Sequence, residues 1–116
     1  GSEAVSGRQM ADGAALAVAD INAAGGVLGR KLKFTVNDDA CDPKQARSVA
    51  EKLASAKVPF VVGHFCSASS IAASEVYADA NVLQISPAST STKFTDGKLW
   101  NVARLILANV GDARPE

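Results

Sequence analysis

Residues 63–70 place small hydroxyl-bearing side chains directly after an apolar run and at the start of a predicted helix. The first turn of a helix leaves backbone N–H groups without partners, and the aligned peptide dipoles favour a negative charge there. Ser67 adds a hydroxyl donor at the same point. This segment is therefore suited to bind a carboxylate or a phosphate.

A second polar loop, residues 86–90, follows the next apolar run, residues 82–85. If both runs are neighbouring parallel strands, their carboxyl ends lie at one edge of the sheet. Ligands of open α/β sheets bind at that edge. The two loops are therefore expected to converge on one small polar ligand.

Hydrophobic periodicity predicts the elements that position these loops. Helices are predicted at residues 7–24, 43–57 and 69–80, and strands at 31–37, 60–63 and 82–85. The apolar stretch 99–110 stays open between strand and helix. Because helices and strands alternate, the fold class is α/β, a parallel sheet with helices on its faces. The run 60–63 lacks polar alternation, which predicts that both of its faces are covered.

Two local signals mark helix ends. Gly25 and Gly26 are expected to end the first helix, because glycine adopts left-handed backbone without steric cost. Asp42 is a capping residue followed by Pro43, which suits the first helical position. Gln45 is expected to reach back to the N–H of the cap.

Composition narrows the class of partner. The chain has 116 residues, 47% of them hydrophobic, and its 12 basic and 12 acidic residues give a net charge of zero. This predicts one globular unit with no basic field for nucleic acid. We expect no membrane insertion, since the apolar run 102–110 is far shorter than the roughly 20 residues of a spanning helix. We expect no signal peptide within these residues, because Gly1-Ser2-Glu3 is not a basic start followed by an apolar core.

Several residues allow a second interpretation. His64 near Cys66 suggests a thiol hydrolase, but a lone histidine is more often a packing or loop residue. Asp38 and Asp39 suggest a Mg²⁺ site, although solvated loop carboxylates are favoured. One His and two Cys without C-x-x-C spacing do not make a zinc site, so we expect no metal, no cofactor and no catalytic residue.

Ser67 and the two cysteines stay open on residue type alone. A serine at a strand-to-helix junction is most often a helix cap, although the same N–H groups also serve an anion. Cys41 and Cys66 are either buried apolar residues or a disulfide.

Four segments in order resemble the leucine/isoleucine/valine-binding proteins, periplasmic receptors of branched-chain amino-acid ABC transporters. They read ADINAAGGVLG (19–29), DDACDPKQA (38–46), GHFCS (63–67) and ISPAST (85–90). The resemblance covers residues 1–104 and implies a partial amino-terminal lobe, a three-layer parallel sheet with helices on both faces. Residues 105–116 form a tail that departs from the family, and the family's first strand and second lobe are missing.

The resemblance also implies roles for individual residues. Ser67 is expected to bind the ligand carboxylate, and Ala88 and Thr90 to share the polar contacts to carboxylate and ammonium. Phe65 and Cys66 are expected to wall the pocket, and Cys41 and Cys66 to form a disulfide. Ser6 stands where some members have a pocket-lining aromatic residue.

The implied function is non-enzymatic binding of leucine, isoleucine or valine for uptake by an ABC-transporter permease, in the periplasm. The alternative is a fragment that binds no ligand and serves only as a folding or assembly module. Without its central strand, the sheet would expose unpaired backbone groups. We expect residues 104–110 to insert as a replacement strand, or a homodimer to form by strand exchange. Leucine and alanine in this tail also allow a short helix.

Overall fold

Four helices and three strands make up the regular structure of the computed structural model, which describes residues 3–97, 99–106 and 108. They follow in the order α1 (Ala4–Ala23), α2 (Pro43–Ser55), β1 (Phe60–Val62), α3 (Ser67–Asp79), β2 (Leu83–Ser86), α4 (Lys93–Asp96) and β3 (Val102–Arg104). The described residues divide into two compact units, one within 2–37 and the other from residue 38 onwards. No helix among the described residues is long and apolar enough to cross a membrane.

In the unit formed by residues 2–37, α1 ends where the two glycines predict. Gly25 and Gly26 have φ values of 109° and 82°, and the Gly26 N–H donates to the Ile21 carbonyl at 2.8 Å. A side chain at Gly26 would collide with the Arg30 carbonyl. Glycine is therefore required at this position for both its backbone angle and its lack of a side chain.

The predicted strand at 31–37 is wrong, because residues 31–37 belong to no strand. A strand needs the backbone of a neighbour to satisfy its N–H and C=O groups. In this unit the Asn22 side chain satisfies Leu32 instead, accepting from its N–H at 2.6 Å and donating to its carbonyl at 2.9 Å. The predicted buried face is also wrong, because Leu32, Phe34 and Val36 are 39%, 39% and 64% exposed. Alternation carries no information on whether a partner strand or a covering helix is present.

The other unit contains a parallel sheet in the order β1, β2, β3. Val62 pairs with Ile85, which in turn pairs with Ala103. The mixed α/β class with a parallel sheet is therefore confirmed. Residues 99–110 were left open, and β3 lies within them.

The helix α2 begins as predicted, with Asp42 accepting from the Lys44 N–H at 3.1 Å and Pro43 in the first turn. The expected contact of Gln45 with the cap is wrong. Its side-chain amide donates to the Asp38 carbonyl at 3.0 Å, while the Asp42 N–H donates to the Asp39 carbonyl. The loop before the helix thus takes over the partner that a capping box would have used.

The core of this unit lies between the helices and one face of the sheet. Ala50, Ala73, Tyr77 and Val82 are almost fully buried there. On the opposite face Phe60, Val62 and Leu83 are 44%, 41% and 38% exposed. The prediction that both faces of the run 60–63 are covered is therefore wrong, because an apolar run does not show which neighbours are present to cover it.

The tail is only partly described. Leu105 donates its N–H to the Ser86 carbonyl at 3.0 Å, which extends the β2 to β3 pairing by one bond. Leu107 and residues 109–116 lie outside the described residues. Three of the residues 104–110 fall there, namely 107, 109 and 110, so the strand and helix alternatives for this segment stay predictions.

Candidate functional site

Two loops meet at one edge of the sheet because β1 and β2 are parallel neighbours. The first follows β1 and spans residues 63–66, and the second follows β2 and spans residues 87–91. The Gly63 N–H donates to the Ile85 carbonyl at 2.9 Å. The Ser67 hydroxyl, at the start of α3, accepts from the N–H groups of Thr90 and Ser91, both at 3.2 Å. The structure thus brings Ser67 and the second loop together.

Ser67 has donor capacity left over. A hydroxyl has two acceptor lone pairs and one proton, and the two loop N–H groups occupy the lone pairs. In none of the hydrogen bonds among the described residues does Ser67 donate its proton. That proton is available to an external acceptor such as a carboxylate.

The start of α3 supports the same polarity. Cys66 is the N-cap and makes no side-chain capping bond. The interpretation of Ser67 as the cap is therefore wrong, since Ser67 is the first residue of this 13-residue helix. Its hydroxyl lies beside backbone N–H groups that the helix itself leaves without partners. A negative charge is favoured at this position.

Phe65, Cys66 and Ala88 are each half-buried at the same edge. The Ala88 N–H donates to the Ser86 hydroxyl at 3.3 Å. The Ala88 carbonyl and the Thr90 hydroxyl take part in no hydrogen bond between described residues. A carbonyl and a hydroxyl with unused capacity suit an ammonium group.

The carbonyl of His64 links the two loops. It accepts from the hydroxyls of Ser70, Ser86 and Ser89 at 3.0, 2.8 and 3.2 Å. Ser70 also accepts from the His64 N–H at 2.9 Å and shares a 2.7 Å contact with Ser89. All four residues are buried. One backbone position therefore holds β2, α3 and both loops together.

The ring of His64 is held just as closely. Its Nδ1 lies 2.6 Å from Asp39 Oδ2, and its Nε2 lies 2.9 Å from the Tyr77 hydroxyl. Burial, and secondarily the charge of Asp39, raise the pKa of Tyr77 well above its ordinary value. Tyr77 therefore keeps its hydroxyl proton, and the imidazole ring is held between Asp39 at Nδ1 and Tyr77 at Nε2.

Cys41 and Cys66 form a disulfide, with their Cα atoms 5.5 Å apart. The bond joins the loop that holds Asp39 to the N-cap of α3. It also rules against the thiol hydrolase, because a nucleophilic Cys66 must be free. Cys41 follows no strand, since the strand predicted at 31–37 does not form.

The two acidic side chains of the cysteine loop bind within that loop. Asp38 accepts from the Ala40 N–H and Asp39 from the Cys41 N–H, each at 2.8 Å. Such bonds are typical of aspartate in turns. Across residues 3–97, 99–106 and 108, no three His, Cys, Asp or Glu side chains group together in a way that could hold a metal.

Sequence reasoning missed the partners of His64 and the role of Arg104. Asp39 and Tyr77 lie 25 and 13 residues from His64, and no short motif marks such a pairing. The Arg104 guanidinium donates to the carbonyls of Ser89 and Ser91 at 3.3 and 2.9 Å, and contacts the Thr95 hydroxyl. A single basic residue after a short apolar run gave no signal of this contact.

Most of the chain matches a known protein family. The family model described as "Periplasmic binding protein" matches residues 1–105. The chain belongs to that family.

Individual relatives agree with the family. The chain is 47% identical over 104 residues to Leu/Ile/Val-binding protein homolog 1 of Brucella abortus, which covers 90% of this chain and 28% of that protein. It is 49% identical over 89 residues to the Leu/Ile/Val-binding protein of Escherichia coli, covering 77% of this chain and 24% of that one. The chain thus spans less than a third of the length of these relatives.

Solved structures show the same fold. An ABC transporter substrate-binding protein from Desulfitobacterium hafniense, in complex with Leu, superposes with a TM-score of 0.83 at 38% identity. That match covers 90% of this chain and 32% of the other. A branched-chain amino acid transporter substrate-binding protein from Streptococcus pneumoniae, in complex with isoleucine, gives 0.79 at 32% identity, covering 89% and 29%. The chain is therefore part of a type I periplasmic binding protein fold.

Proposed function

We propose that this chain supplies the first-lobe part of a binding site for leucine, isoleucine or valine in a receptor of an ABC transporter. The observation that carries the proposal is the Ser67 hydroxyl. It is fixed by two N–H groups of the second loop at the start of α3, and it keeps its proton for an acceptor. An amino-acid carboxylate matches that donor and the helix N-terminus.

The remaining roles follow from unused hydrogen-bonding capacity and burial. The Ala88 carbonyl and the Thr90 hydroxyl bind the ammonium, and Thr90 also contacts the carboxylate. Phe65 and the Cys66 disulfide form an apolar wall beside them. This division suits a zwitterion with an aliphatic side chain, and it requires no enzyme chemistry.

The setting of the site is also part of the proposal. The full receptor acts in the periplasm with an ABC-transporter permease, with residues 1–104 as the partial lobe and 105–116 as a separate tail. The disulfide supports an oxidising compartment. The names of the relatives support the ligand class.

A homodimer is the proposed way to cover the open part of the sheet. The strand β1 is at one edge of the strand order, and Phe60 and Val62 are exposed beside it. An edge strand with exposed apolar side chains tends to pair with another chain. Sedimentation at several concentrations tests this, and a monomer at all of them would contradict it.

Titration with leucine, isoleucine and valine, followed by NMR, tests the binding. Part of a site loses much of the affinity of the whole, so we expect a dissociation constant of about 1 mM. Leucinamide, which lacks the carboxylate, should bind at least about tenfold more weakly, because a bond to a charged group is lost.

The Ser67→Ala variant should weaken leucine binding about tenfold for the same reason. Ser48→Ala is the matched control, since Ser48 is an exposed serine on α2 that bonds only within its own helix. If Ser67→Ala binds as well as its parent, the role of Ser67 is wrong. If none of the three amino acids shifts any resonance, the alternative of a non-binding folding or assembly module is favoured.

A further inference from the structure

Arg104, the last residue of β3, contacts the second loop through its side chain. Its guanidinium donates to the carbonyls of Ser89 and Ser91 and contacts the Thr95 hydroxyl on α4. The ion pairs formed among the described residues do not include Arg104. Its charge therefore lies against two carbonyl dipoles of the second loop and the hydroxyl of Thr95 on α4.

One peptide group is held from both ends. The Ser89 carbonyl and the Thr90 N–H belong to the same planar unit and, in a trans peptide, point in opposite directions. Arg104 binds the carbonyl at 3.3 Å, and the Ser67 hydroxyl accepts from the N–H at 3.2 Å. The orientation of this peptide, and with it the position of Thr90, is fixed between Arg104 and Ser67.

We propose that Arg104 is a positioning residue of the ligand site, acting through the peptide between Ser89 and Thr90 on the Ser67 hydroxyl. Hydrogen bonds in a chain polarise one another. The guanidinium charge polarises the carbonyl, which makes the Thr90 N–H a stronger donor to Ser67. Ser67 in turn becomes a stronger donor to a carboxylate.

The inference rests on the proposed function for its ligand, an α-carboxylate. It adds a determinant of carboxylate affinity that does not touch the ligand. An arginine is suited to this role because its planar fork can bind two carbonyls at once. Lysine keeps the charge but has no such fork.

The test compares Arg104→Met and Arg104→Lys with the parent chain by two readouts, amide hydrogen exchange and leucine titration. In Arg104→Met, exchange at Thr90 and Ser91 should accelerate about tenfold, while leucine affinity should fall about fivefold, because bonds to a charged donor are lost. Exchange at Gly63, whose N–H bonds to β2, should stay unchanged. In both its exchange rate at Thr90 and Ser91 and its affinity for leucine, Arg104→Lys should lie between the parent and the methionine variant.

Arg47→Met is the matched control. Arg47 also donates to a backbone carbonyl, that of Ala72 at 3.3 Å, but on the exposed side of α2 and α3. The same charge is removed, so an effect of net charge on leucine binding would appear in both variants. We expect Arg47→Met to leave the exchange of Thr90 and the affinity for leucine unchanged.

The outcomes separate the two proposals. If exchange accelerates equally at Gly63, Arg104 has a general structural role and the inference is overturned. Unchanged exchange at Thr90 and Ser91, unchanged affinity in a parent that binds leucine, or a lysine variant no better than methionine would also overturn it. A parent chain that binds no leucine would refute the proposed function, and the exchange comparison would still decide whether Arg104 holds the loop.

Discussion

The two loops that form the candidate site are held by bonds of very different strength. The loop after β1, residues 63–66, is tied by the Cys41–Cys66 disulfide and by the buried ring of His64. The loop after β2, residues 87–91, is held by hydrogen bonds alone. Its N–H groups donate to the hydroxyls of Ser67 and Ser86, and its carbonyls accept from Arg104. The candidate site thus has one wall held by a covalent bond and one wall that is easier to displace.

The largest effect should come from breaking the disulfide. The Cys41→Ser/Cys66→Ser double variant removes a bond that closes a loop of 25 residues. In the loop-entropy model this lowers the free energy of unfolding by about 3.5 kcal/mol. Thermal melts of the parent with and without reductant, and of the double variant, measure the loss.

The double variant is its own control, because reductant should not change its melting temperature further. If reduction leaves the melting temperature of the parent unchanged, the rigidity of the first loop does not depend on this bond. The first loop would then differ from the second only in being held by the buried ring of His64.

The second effect concerns the ring of His64. Replacing it by leucine leaves the Asp39 carboxylate, only 14% exposed, without this partner, and does the same to the Tyr77 hydroxyl. We expect a loss of about 3 kcal/mol in the free energy of unfolding, since a largely buried carboxylate loses one of its two hydrogen-bond partners and a buried hydroxyl becomes unsatisfied. Urea denaturation of the variant measures this loss.

A double-mutant cycle sharpens that result. Tyr77→Phe removes only the hydroxyl, so it should cost about 1 kcal/mol alone and less in the His64→Leu background. Strictly additive costs would show that the ring does not couple Tyr77 to the first loop.

The sequence could predict those features that depend on residues close together in the chain. Asp42 and Pro43 start α2 through bonds within three residues, and Gly25 and Gly26 end α1 through their own backbone angles. These signals are local, and they were interpreted correctly. The meeting of Ser67 with Thr90 also followed, because parallel neighbours must place their carboxyl ends together.

What the sequence could not predict depends on distant partners. The run 31–37 has the alternation of a strand, yet strand formation requires a neighbouring backbone that alternation does not specify. The bonds of His64 to Asp39 and Tyr77 join residues far apart in the chain. Whether Ser67 or Cys66 caps α3 depended on a one-residue shift of the helix start, which periodicity does not resolve.

The smallest effect concerns how the free energy of unfolding changes at alkaline pH. The folded-state pKa of Tyr77 is raised above the ordinary tyrosine value of 10.0, because the buried hydroxyl resists ionisation near Asp39. Above pH 10.0 the unfolded chain loses the tyrosine proton, while the folded chain keeps it up to its own higher pKa. Stability from this group is therefore complete below pH 10.0 and falls as the pH rises from there towards the folded-state pKa.

Tyr77 is the only tyrosine of the chain, so tyrosinate absorbance reports on it alone. We expect the folded chain to form tyrosinate only at a pH well above 10.0, together with loss of structure. The Tyr77→Phe variant keeps every lysine and arginine, and its stability should decline less steeply in the same range. Tyrosinate appearing at the ordinary pKa in a chain that stays folded would show that Tyr77 is not fixed on His64, and that the first loop is less rigid than its contacts indicate.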